Sequence, residues 1–433
     1  MAIRILWCGG YYFMIISMEE IVEKYLNSKY ENNETLKYNI ETLLDTFLAS
    51  KNHFLLLKSS QYIKLKKYNF LGRTAKTTLN YIIQNLSTKV KEIKSLNFFI
   101  EIIEEGSEIK KEEKNGKNIF LLPLNIAITL PLETSILITE NIIDADIYTS
   151  LAKLYLKENK YQNINLALSS IGSGGSQINV QYTKSIIQEL KQGICIADSD
   201  KKYPSCKLGD TAKNLKEVIN NEFLNEVIIL ENQRELENFI PYNLLEYLCS
   251  TSANSFCKKI KNSILSDAEI KKFYNFFDVK SGIYVKDFFD PNFLEYWKEF
   301  INKIGFSNVE CALENQKILI SSLDELLSLD KNIIEKLSSK FCEGYGNKIS
   351  NTFFDFLSEK KLKYLKEELE EKKLLKMDET LKNRIIIEQE EKIANYISNQ
   401  KIIFEDNKDL ILIVKKIIDW GACLYIPNQT TSV

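Results

Sequence analysis

The stretch that decides the fold begins at residue 134: TSILITE (134–140), DADIYTSLAKLYLKEN (144–159), NINLALSS (163–170), NVQYTKSIIQELKQ (179–192), GICIAD (193–198), TAKNLKEVINN (211–221), EVIILE (226–231) and LENFIPYNLLEYLC (236–249). Short apolar runs alternate here with segments whose apolar residues recur every three or four positions, the patterns of buried strands and amphipathic helices. Strand–helix alternation of this kind calls for right-handed crossovers and a largely parallel sheet covered on both faces. In an open parallel sheet, ligands bind beyond the carboxyl ends of the strands. Three of these runs end in acids: TSILITE at Glu140, GICIADSD at Asp198 and Asp200, and EVIILE at Glu231. One strand-terminal acid is ordinarily a helix cap or a turn residue. Three at one edge repel one another unless a divalent cation lies between them, and hard oxygen ligands suit Mg2+ or Mn2+. In Asp198-Ser199-Asp200, a strand that persisted would aim both aspartates to the same side.

The flanks read differently. Residues 18–95 are expected to be mostly helical, in MEEIVEKYLN, ETLLDTFLASKNHFLLL and TAKTTLNYIIQNLSTKVKEI. Residues 96–124 read as two strands joined by a charged turn holding Gly106 and Asn115-Gly116, a hairpin expected to edge the sheet that follows. Beyond 250 the strand signal fades into helical patterns of mixed charge, and KKLKYLKEELEEKK reads as a solvated helix face laced by i,i+4 pairs rather than a nucleic-acid patch. The expected organisation is an N-terminal helical region with a hairpin (1–132), an α/β domain (133–249) and a C-terminal helical domain (250–433), in line with a length of 433 residues.

Composition excludes several chemistries. A formal charge of −2 is unlike a protein that coats nucleic acid by charge alone, so any such contact is expected to be local. The eight cysteines form no CxxC pair and have no nearby histidine, which excludes the usual zinc spacings. His53 is the only histidine. A three-histidine metal site is therefore impossible, and a Ser-His-Asp or HExxH site is disfavoured, leaving carboxylates and lysines to do any chemistry. Residues 1–17 lack a clean secretory cleavage site, so a cytoplasmic address is expected. The helical pattern starting at Met18 suggests that the natural start is Met18, the alternative being a short buried strand before it.

Glu140-Asn141-Ile142-Ile143-Asp144 followed by Asp198-Ser199-Asp200 resembles the Toprim family, whose pattern is E-G-x-x-D after a first strand and D-x-D after a third. Asn141 replaces the family glycine, a mild departure because Asn tolerates a left-handed backbone. Arg234-Glu235-Leu236-Glu237-Asn238-Phe239 resembles the R-x-x-E-N-Y segment of Toprim nucleases of the overcoming-lysogenization-defect group and related phage-defence proteins. The resemblance covers roughly residues 133–245. It implies an α/β fold with a Toprim (Rossmann-like) core flanked by mainly helical regions, and a metal-dependent endonuclease acting on DNA ahead of RNA. Its implied roles are Asp198 and Asp200 on one Mg2+ or Mn2+, Glu140 as bridging ligand or general base, and Asp144 with Glu237 near a second metal. Lys201 or Lys202 would neutralise phosphate charge in the transition state.

Gly172-Ser173-Gly174-Gly175-Ser176 follows the second expected strand, where the family often has a glycine turn. Gly174, Gly175 and Ser176 would then serve either a close backbone approach to phosphate or a tight strand–helix turn. No Walker A pattern occurs: LGRTAKTT (71–78) lacks the Gly-Lys pair. Since Toprim nucleases of this kind often work with an ATPase, a separate ATPase or regulatory protein is expected as partner. A homo-oligomer is a further possibility, and no membrane association is expected. The competing expectation is a non-catalytic scaffold or sensor that binds a divalent ion and a protein partner.

Overall fold

In the computed structural model the described residues are 14–27, 33–50, 53–80, 83, 98–104, 106, 108–114, 116–130, 134–161, 164–249, 254–261, 263–306, 308–313, 316–330, 337, 339–374, 379–405 and 407–424. Residues 1–13, residues 84–95 of the expected N-terminal helix and Asn115 of the expected turn lie outside them. The chain forms two compact units, one from residues 1–196, 215–228 and 411–433, the other from residues 197–214 and 229–410.

The first unit holds two larger sheets. Strands β1 (Met14–Ser17), β2 (His53–Leu56), β3 (Phe98–Ile103), β4 (Lys110–Lys114) and β5 (Lys117–Pro123) make a five-stranded sheet in the order β2-β1-β3-β5-β4. β1 pairs in parallel with β2 and β3, β3 in parallel with β5, and only the β4–β5 hairpin is antiparallel. The N-terminal region is thus less helical than its three- and four-residue spacing suggests. Met14–Ser17 is a strand in which Ile15, Ile16 and Ser17 are buried, and His53–Leu56 leaves the preceding helix, which ends at Ser50, to pair with it. The two strands expected to form a hairpin, β3 and β5, pair in parallel instead; the charged stretch between them supplies β4, which makes the antiparallel hairpin with β5, and all three belong to this sheet rather than to the one that follows.

The stretch from residue 134 builds the second sheet: β6 (Ile136–Thr139), β7 (Ile164–Leu166), β8 (Ser169–Gly172), β9 (Gly193–Ala197) and β10 (Asn225–Ile229), of which four associate in the order β10-β9-β6-β8. β6 pairs in parallel with β8 and β9. Both β6 and β9 are buried at every residue, which is why their sequences are continuous apolar runs rather than alternating ones. The single expected strand NINLALSS is split, with β7 turning away to pair with Ala422–Leu424. Helix Ile142–Glu158 is the crossover from β6. It buries Ala145, Tyr148, Leu151, Ala152 and Leu156, a stripe at three- and four-residue spacing, each larger side chain contributing about 1.5–3 kcal/mol. An α/β architecture with a mostly parallel sheet is therefore established, compatible with a Rossmann-like core.

The second unit is mainly helical, with two short antiparallel pairs that the sequence pattern did not announce. These are β11 (Gly282–Tyr284) with β14 (Lys340–Glu343), and β12 (Val309–Leu313) with β13 (Gln316–Ile320). Helix Pro291–Ile304 shows how its core forms. Asp290 caps the start by accepting from Asn292 and Phe293 N–H, and Pro291 sits at the first helical position, where no N–H is missed. Phe293, Trp297, Phe300 and Ile301 then share one face. Trp297 and Phe300 meet Phe256 and Phe273 in a fully buried aromatic cluster, with the Phe256 and Phe300 rings stacked at 5.5 Å. The charged run 359–373 is a helix carrying the i,i+4 pairs Lys363–Glu367 and Glu368–Lys372. Among the described residues no helix is long and apolar enough to cross a membrane.

One buried charge ties distant parts of the first unit together. Glu226 at the start of β10 pairs with Lys111 (3.0 Å) and Lys416 (2.6 Å), and accepts from Trp420 Nε1 at 3.2 Å. Burial pushes its pKa up, but the two lysines outweigh that and hold it below the usual glutamate value. A depressed carboxylate contributes stability that is present above the unfolded-state pKa and is lost as pH falls through the folded one. Glu226→Gln should therefore cost about 1–3 kcal/mol at pH 7 in urea unfolding, and the gap from wild type should narrow as pH falls below the ordinary glutamate range and the wild-type carboxylate protonates. A gap unchanged at low pH would contradict the assignment.

Candidate metal centre

Strand β9 ends at Ala197, and the D-x-D does not continue it. The N–H groups of Ser199 and Asp200 both donate to the Arg234 carbonyl at 3.0 Å, and the buried Ser199 hydroxyl donates to the Gln233 carbonyl at 2.6 Å. These bonds turn the chain, and Asp200 adopts φ +56°, a left-handed conformation that aspartate reaches more readily than most residues. Strand alternation therefore no longer applies, and Asp200 is not among the acids that gather around Asp198. Asp198 is half-buried and its Oδ1 accepts from Leu236 N–H at 3.0 Å. Asp200 is exposed and lies against Gly209, where a Cβ would come within 2.6 Å of its Oδ2.

Asp198 meets two glutamates instead. Oxygens of Asp198, Glu235 and Glu237 all lie within 4.8 Å of one another, a separation at which one cation could be shared. Glu235 and Glu237 flank Leu236 at the start of a 3-10 turn, Leu236–Phe239. Asn238 holds that turn: its Oδ1 accepts from Glu235 N–H, and its Nδ2 donates to the Tyr274 and Phe277 carbonyls. Arg234 anchors the segment through Asp278 at 2.7 Å. The resemblance to R-x-x-E-N-Y thus falls on residues with separable jobs. Arg234 and Asn238 fix the backbone, and Glu237 reaches Asp198.

Both glutamates are nearly inaccessible, with Glu237 1% and Glu235 7% exposed. Glu235 Oε1 accepts from Val279 N–H at 2.9 Å, and Glu237 Oε1 accepts from the Ser350 hydroxyl. Lys280 Nζ stands 3.2 Å from Glu235 and 2.9 Å from Glu237 Oε2. Lys280 Nζ is thus the charged partner that faces Glu237 Oε2. Burial and the neighbouring Glu237 push the Glu235 carboxyl up to about 7. Burial pulls the Lys280 ammonium down, but Glu237, Glu235 and Asp198 together hold it above its ordinary pKa. Glu235 and Lys280 are the site residues that sequence reasoning missed. The E-x-E at 235–237 was the available signal for Glu235, and nothing in the sequence around Lys280 marks it.

The other candidates sit as follows. Glu140 comes directly after β6, and its backbone carbonyl accepts from Gly174 and Gly175 N–H, each at 3.0 Å, with the Ser173 hydroxyl at 3.3 Å. Gly174 and Gly175 have φ +77° and +81°, so the turn needs glycine, and their N–H groups serve the Glu140 carbonyl rather than facing outward as a phosphate cradle. Ser176 follows them, exposed on the same turn. Burial, and to a lesser extent the Glu140 charge, pushes the Cys195 thiol up. Asp144 is buried and caps its helix, Oδ2 accepting from Asn141 N–H at 3.1 Å in a capping box. Lys202 pairs with Asp287 at 2.8 Å, and Lys201 donates to the Glu231 carbonyl at 3.2 Å. Glu231 itself is exposed beyond the end of β10. No protein-family model, curated protein or solved structure matches this chain.

Removing the cation from buried acids costs more than removing the pair together. Lys280→Met should cost on the order of 3 kcal/mol in urea unfolding, and in a Glu235→Gln/Glu237→Gln background less than about 1 kcal/mol. Equal costs in both backgrounds would show that the three side chains are not energetically coupled.

Proposed function

We propose that this protein is a divalent-metal-dependent phosphodiesterase that cleaves nucleic acid, with Asp198, Glu235 and Glu237 as its metal-binding carboxylates. The observation that carries the reading is their convergence within 4.8 Å, with Asp198 following β9 directly in the chain. The donor set fits the ion: oxygen-only ligands suit Mg2+ or Mn2+, and buried like charges are tolerated only beside positive charge. A bound ion of this type polarises a phosphoryl oxygen and makes water a better nucleophile near neutral pH. Asp198 is the most accessible of the three and would be the ligand nearest to solvent and substrate, with the buried Glu235 and Glu237 supplying further charge.

The Toprim resemblance supports the same reading in one further respect. Its pattern puts the Glu and the D-x-D after a first and a third strand at one sheet edge, and here β6, before Glu140, and β9, before Asp198, pair in parallel from Ile136–Gly193 to Ile138–Cys195. Glu140, as ligand or base, and Asp200 enter the reading through that resemblance.

A second reading has its own observation. Lys280 already offsets the charge of Glu235 and Glu237, which favours a structural ion network in a non-catalytic scaffold or sensor. Plasmid and RNA cleavage by the purified chain separates the two. The nuclease reading expects nicking in Mg2+ or Mn2+ and none in EDTA. Asp198→Asn should lower the rate by about 100-fold or more, near 2.7 kcal/mol in the barrier, whereas Glu231→Gln should leave it unchanged. Metal-independent cleavage, or equal rates for Asp198→Asn and wild type, would contradict it.

A further inference from the structure

The acidic cluster carries its own cation, and this limits how many more it can hold. The argument rests on the metal-binding reading above. Lys280 Nζ lies 2.9 Å from Glu237 and 3.2 Å from Glu235, and its backbone is tied down on both sides. Gly346 N–H donates to the Lys280 carbonyl at 2.9 Å, and Tyr345 N–H donates to the Val279 carbonyl at 2.7 Å. Val279 N–H in turn donates to Glu235, so the ammonium is delivered on a turn fastened to one of the acids it neutralises. The neighbouring cations are committed elsewhere: Lys202 to Asp287, Lys201 to the Glu231 carbonyl and Arg234 to Asp278.

With all groups ionised, the three carboxylates and one ammonium leave two negative charges. One divalent ion cancels them. A second would leave two uncompensated positive charges beside Glu237, which is 1% exposed and poorly hydrated, and such an excess is heavily penalised. Glu237 Oε2 faces the Lys280 ammonium at 2.9 Å, so the acid and its built-in cation are in direct contact. We propose that Lys280 is the second cation of this site, so that the chain binds one divalent ion among Asp198, Glu235 and Glu237. In paired-metal sites the ions sit roughly 3.5–4 Å apart and clamp both sides of the scissile phosphate. Here a fixed ammonium takes the place of one of them.

Calorimetric titration with MnCl2 at pH 7.5 tests this without reference to activity. Wild type, Lys280→Arg, which keeps the charge, and Lys202→Gln, whose lysine belongs to Asp287, should each bind one Mn2+ per chain. Lys280→Gln should bind a second Mn2+, or bind its one ion at least tenfold more tightly. Two ions in wild type overturn the proposal, as does a Lys280→Gln protein indistinguishable from wild type. The wild-type count decides the matter even if Lys280→Gln does not fold. Equal single-ion binding in all four proteins removes the role of Lys280 but leaves the metal site standing. No binding to any of them removes both.

Discussion

Like charges do not stay buried together without compensation, and the meeting of Glu235, Glu237 and Asp198 is the constraint on which the account of this protein turns. Placing the carboxylates within 4.8 Å of one another, two of them nearly out of contact with water, is costly unless positive charge and hydrogen-bond donors answer them. The chain answers in three ways. Main-chain N–H groups of Leu236 and Val279 and the Ser350 hydroxyl hydrogen-bond the oxygens, Lys280 supplies charge, and burial with the neighbouring Glu237 raises the Glu235 pKa, which eases its protonation. An arrangement that needed only stability could have used apolar side chains of similar size, since burying an ion pair seldom improves on well-packed hydrophobic residues. The retention of three acids at this place is what gives the site its interest.

The surrounding framework is organised to hold that cluster still. The turn after β9 is locked by Ser199 against Gln233 and Arg234, the 3-10 turn carrying both glutamates is locked by Asn238, and Arg234 is locked by Asp278. Asn238 and Arg234 fix the backbone that carries both glutamates. The aromatic cluster of Phe256, Phe273, Trp297 and Phe300 gives the same unit a rigid interior. Pre-organised carboxylates of this kind lose little entropy on binding an ion, which is how a few acids reach useful affinity for a strongly hydrated cation.

Much of the fold was legible because the parallel sheet is buried on both faces. ILIT and GICIA are continuous apolar runs for that reason, and the helix 142–158 shows its buried stripe openly. The N-terminal sheet was harder to see. Met14–Ser17 and His53–Leu56 are four-residue strands abutting helices, too short for a period to declare itself, and their pairing is between segments far apart in sequence. The site was half legible. Asp198 and Glu237 are marked by a strand end and by the R-x-x-E-N pattern, but the resemblance assigns them to two different metal positions, whereas the structure brings them together with Glu235. The expectation that Asp200 would share their side assumed an extended D-x-D, and the left-handed turn at Asp200 breaks that assumption. Asp144 and the 174–175 turn show how the same residue types serve local structure, as a helix cap and as donors to the Glu140 carbonyl. Lys280 could not have been read from the sequence, because its role comes from a tertiary contact across more than forty residues.

The central claim is that Asp198, Glu235 and Glu237 together hold a divalent ion. Crystals of the protein soaked in MnCl2, with data collected at the manganese absorption edge, test it most directly. The account predicts an anomalous difference peak within roughly 2.0–2.6 Å of oxygens from all three residues, the ligand distances of hard divalent ions. A fully soaked crystal with no peak there, or with its only peak elsewhere, would contradict it.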